Sequence, residues 1–295
     1  MIVTVLLLAV GLLGFAFASV LARTAAERRQ YLPTLESTVL GAITNFFDTL
    51  GIGSFAPTTA WIKLRKLVPD SYIPGILNAG HCLPTTAQGL IFIKLVQVDP
   101  VLLASCIASA VVGSLIGAPV VVRAPVRVVQ GVVGVALVIA ASLYALTNLG
   151  LMHGGGAALA LPPTGLAIAA GIHFVLGALM TFGIGLYAPS MITVSLLGLN
   201  PIAAFPIMMG SCAMLMPVCG MRFVRSERID LRVVISLALG GIPLVLVAAF
   251  LVKSLELATL RWGVVVVVLY AAILLLRSAF SPVAEQMAAK ASQAA

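Results

Sequence analysis

Long apolar runs broken by short basic clusters set the rhythm of this chain. Residues 2–22 carry no charge, and Arg23, Arg28 and Arg29 follow them. Further apolar runs fall at 73–96, 100–122, 128–148, 201–221, 233–252 and 257–276. Each matches the roughly 20 residues that a helix needs to cross a bilayer. Two other stretches, 36–64 and 165–198, are equally apolar but are interrupted near their middles by the same phrase. The first copy is Thr49-Leu50-Gly51-Ile52-Gly53-Ser54-Phe55-Ala56-Pro57-Thr58 and the second is Thr181-Phe182-Gly183-Ile184-Gly185-Leu186-Tyr187-Ala188-Pro189-Ser190. The copies lie 132 positions apart and agree at six of ten positions.

Paired glycines cost helix propensity and open backbone angles closed to other residues. The residue before a proline is pushed away from the helical region, whereas proline itself suits the first helical position. Gly-Ile-Gly is therefore expected to end one helix, with Pro57 and Pro189 opening the next. In a bilayer such a break persists only where protein or a water-filled cavity satisfies the freed backbone groups. One copy alone is equally explained by a tight packing kink. Two copies at corresponding places point to a transporter-type site. A weaker echo follows each, Gly80-His81-Cys82 and Gly210-Ser211-Cys212, at an offset of 130.

Composition agrees. The 295 residues are 61% hydrophobic and 9% charged, with mean hydropathy +1.18, against about 25% charged in soluble domains. The net charge of +8 sits between apolar runs and lacks the aromatic-interleaved basic stripe of a nucleic-acid binder. Cys82, Cys106, Cys212 and Cys219 lie in apolar runs without metal spacing, so free thiols and no cofactor or metal are expected. There is no HExxH, no GxSxG and no paired aspartates, which argues against an enzyme.

The basic residues also give an orientation. If each interrupted stretch enters the membrane and returns to its own side, and the N-terminus lies outside, 14 of the 17 Lys and Arg fall inside and only Lys94, Lys253 and Arg261 outside. Full crossings spoil that separation, so the positive-inside rule favours two re-entrant elements. Each is followed by three spans, which inverts the second half relative to the first. The expected fold is an all-α integral membrane protein of two inverted repeats. Residues 1–30 hold an extra N-terminal helix, 31–149 the first repeat, 150–163 a glycine-rich linker, 164–277 the second repeat and 278–295 a polar tail. Two half-helices would then begin near the midplane from opposite faces, and their free N–H groups and dipoles would favour an anion.

The repeated Gly-Ile-Gly, the proline after it and the apolar spans that follow resemble the TauE/SafE family of sulfite and organosulfonate exporters, over about residues 36–277. The family pattern usually reads Gly-Ile-Gly-Gly-Gly and then Pro. Here Ser54 and Phe55, and Leu186 and Tyr187, replace the last two glycines, and their bulk would narrow a cavity or supply an aromatic wall. The resemblance implies a bacterial inner-membrane permease for small sulfur-containing or organic anions, and the distribution of basic residues puts its N-terminus outside and its C-terminus in the cytoplasm. Its binding role carries over most directly to Gly51, Gly53, Pro57, Gly183, Gly185 and Pro189.

Polar residues complete the candidate site. Thr58, Thr59 and Ser190 flank the expected helix starts, and Asn45, Thr49, His81, Thr181, Tyr187 and Ser211 are further binding candidates. Asp48 is the one acid clearly inside an apolar run, and an intramembrane carboxylate is a functional candidate by default. It could couple transport to protons, with His81 as partner, or hold the broken backbone by hydrogen bonds. His173, Asn78 and Gln88 read as packing groups, and Pro84 and Pro217 as kinks. The expectation is a secondary transporter, an exporter, for a small anion such as sulfite or an organosulfonate. The alternative is an uptake permease or channel for another small solute. The implied partners are that anion, the bilayer, a proton as candidate coupling ion and a second copy of the chain as candidate oligomer.

Overall fold

The computed structural model describes residues 1–117, 156, 158–181, 183–226 and 228–254, with single positions inside 131–149 and 262–280. About half of each span expected at 128–148 and 257–276, half of the linker, the tail beyond 280, and Arg123, Arg127, Arg261 and Lys290 lie outside the described residues. Among those described, the helices are α1 (Ile2–Glu27), α2 (Leu35–Thr49), α3 (Phe55–Arg65), α4 (Ile73–Gly80), α5 (Cys82–Leu95), α6 (Pro100–Val112), α7 (Pro163–Met180), α8 (Tyr187–Leu196), α9 (Ala204–Arg225) and α10 (Leu231–Ser254). No strand occurs among these residues, only one isolated bridge between Ala158 and Leu199. Among the described residues, four segments are long and apolar enough to cross a membrane: Ile2–Glu27, Pro163–Met180, Pro201–Arg225 and Leu231–Leu251. The protein is thus an all-α, multi-pass membrane protein.

Both interrupted stretches fold as helical hairpins. In the first, α3 comes back to where α2 began, and Arg65 Nε donates to Glu36 Oε1 at 2.9 Å. In the second, the residues before α7 meet those after α8: Asn200 N–H donates to the Ala158 carbonyl at 2.9 Å. The hairpins open toward opposite ends of the molecule. One end gathers the base of the first hairpin, the α1–α2 junction and the α9–α10 junction. There the Arg28 guanidinium donates to the carbonyls of Ser226 (2.8 Å) and Arg225 (3.1 Å), and Thr34 N–H donates to Ser236 Oγ at 2.8 Å. The other end holds the start of α1 and the α5–α6 junction, where Val3, Lys94, Asp99 and Leu159 line one depression. The Lys and Arg of the described loops are concentrated at the first end, as a membrane protein's positive side requires.

The outer arms of the hairpins end alike. Lys66 lies in the left-handed region at φ +51°, with Leu67 N–H on Ile62 O and Lys66 N–H on Lys63 O. Gly198 is left-handed at φ +87°, with Leu199 N–H on Val194 O and Gly198 N–H on Ser195 O. This is the Schellman way of satisfying terminal carbonyls. It recurs 132 residues on, at positions where the sequence itself shows little likeness.

Packing crosses between the halves. α2 lies along α10, α7 lies along α6, and α5 with α4 lies against α9 at the centre. Small residues permit it. A Cβ on Gly240 would overlap the Thr38 carbonyl, one on Gly177 the Ala110 carbonyl, and one on Gly113 the Phe174 carbonyl. α1 runs along α9 and α5 and turns Leu8, Leu12 and Phe15 outward, as lipid contact allows.

Two expectations are corrected. The span 73–96 is not one helix but two, divided at His81. Pro84 lacks an N–H and its ring clashes with the carbonyl four residues back, so α4 stops at Gly80 and α5 restarts at Cys82. The half-helices begin at Phe55 and Tyr187, two residues before the prolines. Pro57 and Pro189 are third in their helices, where the N–H has no intrahelical partner and proline costs no bond. The outer arms are short: α8 has 10 residues and α3 has 11.

Candidate functional site

The first break is built by its glycine. α2 closes with Gly51 N–H on Asp48 O (2.9 Å) and Ile52 N–H on Phe47 O (3.1 Å), and Gly51 sits at φ +95°. Gly53, at φ +86°, turns the chain into α3. In the second break Gly183 takes φ +86° and donates to Met180 O at 3.0 Å. Gly185 does not adopt the left-handed region, so its expected backbone role is not the one seen; a Cβ there would meet open space.

The end of α2 carries Asp48, fully enclosed at 2% exposure. Its Oδ1 accepts the N–H of Ser54, immediately before α3, at 2.6 Å. A carboxylate of the protein itself therefore sits at the positive end of the first half-helix. Its Oδ2 accepts from Gln88 Nε2 at 2.9 Å. The same nitrogen reaches Thr49 Oγ1 at 2.9 Å, and Thr49 donates to Asn45 O. Gln88 Oε1 in turn accepts from the Tyr187 hydroxyl at 2.6 Å. Since a carboxylate only accepts, the amide of Gln88 is oriented by Asp48 and its oxygen faces Tyr187. One side chain on α5 thus joins the first break to the first residue of α8, across 99 positions of sequence.

Around this chain of bonds lies a cavity with about 20 Å³ open to a water-sized sphere, room for about one water. Asp48, Gly53, Ser54 and Phe55 line it from the first break, and Gly185, Leu186 and Tyr187 from the second. Thr85 on α5 and Cys212 and Met216 on α9 complete it with Met180, whose sulfur lies 3.4 Å from Cys212 Sγ. Phe55 and Tyr187 both form part of its wall. No cation neutralises Asp48: among the described residues the one salt bridge is Arg65–Glu36.

Two histidines hold the hydroxyls that follow the prolines. His81 Nε2 is 3.0 Å from Thr58 Oγ1 and its Nδ1 3.1 Å from Asn45 Oδ1. His173 Nε2 is 2.9 Å from Ser190 Oγ and its Nδ1 2.8 Å from the Ala169 carbonyl. A carbonyl can only accept, so in the neutral ring Nδ1 carries the proton and Nε2 accepts from Ser190. Asn45 Nδ2 donates to Gly41 O, which turns its oxygen to His81 and fixes the same tautomer there. Thr58 and Ser190 already give their protons away.

The expected site residues therefore separate. Asp48, Gly53, Gly185 and Tyr187 reach the cavity; Asn45, Thr49 and His81 support it through hydrogen bonds. Thr58 and Ser190 are buried in the histidine pairs and do not line it, nor does Thr59, which is half-buried. Pro57 and Pro189 lie in the first turns of α3 and α8. Thr181 donates to Ala178 O within its own helix end. Ser211 is buried with its hydroxyl unpartnered and outside the cavity. His81 makes no bond to Asp48, and the Phe55 ring lies against it at 6.1 Å between centroids. Among the remaining members, Gln88 reads from sequence as a packing group and Cys212 as a free thiol, while Thr85 and Met216 are not singled out by it. Thr85 and Gln88 lie three apart on one face of α5, the one signal that pointed to them.

The fold and this site define a helical membrane protein whose two broken elements line one cavity. No family model, no curated protein and no solved structure matches this chain.

Proposed function

We propose that this protein is a secondary transporter for small anions, with the cavity between the two breaks as its central, closed site. The observation that carries this reading is that the first turns of α3 and α8, approaching from opposite ends, face one small cavity lined mainly by buried residues. Half-helix N-termini directed at a shared site suit an anion without a buried full positive charge. Further support comes from hairpins that open to opposite ends, from the exchanged packing of α2 on α10 and α7 on α6, and from the matched ends at Lys66 and Gly198. These fit two inverted repeats, each re-entrant element followed by three spans. The basic end would face the cytoplasm, with the N-terminus outside and the C-terminus inside. The resemblance to the TauE/SafE family carries the substrate class: sulfite or organosulfonates, in a bacterial inner membrane.

At about one water's volume, the cavity must widen to admit a sulfonate, as a carrier's closed state requires. Alternating access would come from one half moving against the other. The test is a thermal-shift series on the purified protein with sulfite, thiosulfate, sulfonates and carboxylates, followed by counterflow in proteoliposomes. Stabilisation by at least one sulfur oxyanion and saturable counterflow are expected. Flux without saturation or counterflow would indicate a channel, and no response to any anion would contradict the substrate class.

A further inference from the structure

Resting on the anion-transport reading, we propose that the cavity takes up an anion only together with a proton on Asp48, and that Gln88 transmits that proton to the second half. With Asp48 ionised, its carboxylate holds the Ser54 N–H at 2.6 Å and so occupies the position where the first half-helix would meet an anion. A second negative charge in the same cavity, with no cation paired to Asp48 among the described residues, would face it through a poorly screening interior. A proton on Asp48 removes that charge and changes the direction of the bonds beyond it.

The change can be followed atom by atom. Protonated Asp48 becomes a donor, and its O–H needs an acceptor. Gln88 supplies one by turning its amide over, so that Oε1 faces Asp48 and Nε2 faces Tyr187; Thr49 Oγ1, which accepts from Nε2 in the ionised state, then turns its O–H from the Asn45 carbonyl to Oε1. Nε2 then donates to the Tyr187 oxygen, which in the ionised state donates to Gln88 at 2.6 Å. The Tyr187 O–H is released and, because Tyr187 lines the cavity, becomes a donor to its occupant. One proton gained at the first break thus presents one hydrogen-bond donor at the second. Among the described residues, the other titratable groups around Asp48 are Tyr187 on α8, Cys212 on α9 and His81 between α4 and α5. His81 is bonded to Asn45 and Thr58 rather than to Asp48, and α10, which packs along α2, carries no titratable side chain between Arg232 and Lys253. Proton and anion would move in the same direction, so an inward proton gradient would drive uptake rather than export.

The test uses methanesulfonate, whose own charge is constant over the working range. Its dissociation constant is measured by calorimetry on the full-length protein in detergent from pH 5 to 9, for wild type, Asp48→Asn and Gln88→Leu. Above the titration of Asp48, wild-type affinity should rise about tenfold per unit of pH lowered, the slope of one linked proton. Asp48→Asn can donate its amide to Gln88 as the protonated acid does, and should bind without pH dependence. Gln88→Leu should lose affinity at every pH. Independently of any variant, weakly buffered wild type should take up about one proton per anion bound, read with an indicator dye. Binding with no pH slope and no proton uptake, or a slope kept in Asp48→Asn, overturns the co-binding while leaving the anion reading intact. No binding at any pH overturns both.

Discussion

His173 Nε2 accepts the hydroxyl proton of Ser190 across 2.9 Å, and the same relation joins His81 to Thr58 at 3.0 Å. Thr58 and Ser190 are 132 residues apart and occupy the same place in their half-helices, yet their histidines come from different elements. His173 belongs to the inner arm of its own hairpin, whereas His81 comes from the break between α4 and α5. Two unrelated placements of histidine serve one local need.

That need is structural, and it can be separated from ligand binding. Ser190→Ala leaves a buried acceptor on His173 unsatisfied, at a cost of about 1–3 kcal/mol, and should lower the apparent melting temperature with or without anion present. Ser190→Thr, which keeps the hydroxyl, should recover much of the loss. A stable Ser190→Ala protein with abolished anion binding would show instead that the hydroxyl contacts substrate.

Lys66 pays a conformational penalty that Gly198 avoids at the equivalent position. A non-glycine residue in the left-handed region costs about 1–2 kcal/mol. Lys66→Gly should therefore raise the apparent melting temperature, and Gly198→Ala should lower it. Equal and negligible effects of both substitutions would contradict the shared ending of α3 and α8.

The crossed packing of the halves depends on a few glycines. Gly177→Val and Gly240→Val drive side chains into the main chain of α6 and α2 respectively and should abolish folded protein, well beyond the about 1–3 kcal/mol of ordinary overpacking. Gly11→Val and Gly171→Val meet no neighbour within 4 Å and should be tolerated, as judged by monodisperse elution in detergent. Folded Gly240→Val protein would mean that α2 and α10 are not in contact.

How far the sequence reveals this arrangement varies with the physics involved. The repeated phrase announces the two breaks because glycine and proline act locally, and the basic clusters forecast which loops share an end because charge follows the membrane side. The helix starts were displaced by two residues because proline is tolerated throughout a first turn, so its presence does not mark one position. Asp48 stood out as an acid in an apolar run, but its partner Gln88 did not. A glutamine forty residues on is informative only once packing brings α5 against α2. The ending shared by Lys66 and Gly198 is invisible as identity because the backbone, not the side chain, is repeated.

The inverted arrangement of the two hairpins is tested most directly by the sidedness of their bases. Single cysteines at Lys63, Arg222 and Leu159, labelled by a membrane-impermeant maleimide in intact cells and in inverted vesicles, give that answer, the native cysteines being buried. The expected result is that positions 63 and 222 label from the cytoplasmic side and 159 from the outside. Labelling of 63 and 222 from opposite faces would mean that α3 and α8 do not approach one cavity from opposite leaflets.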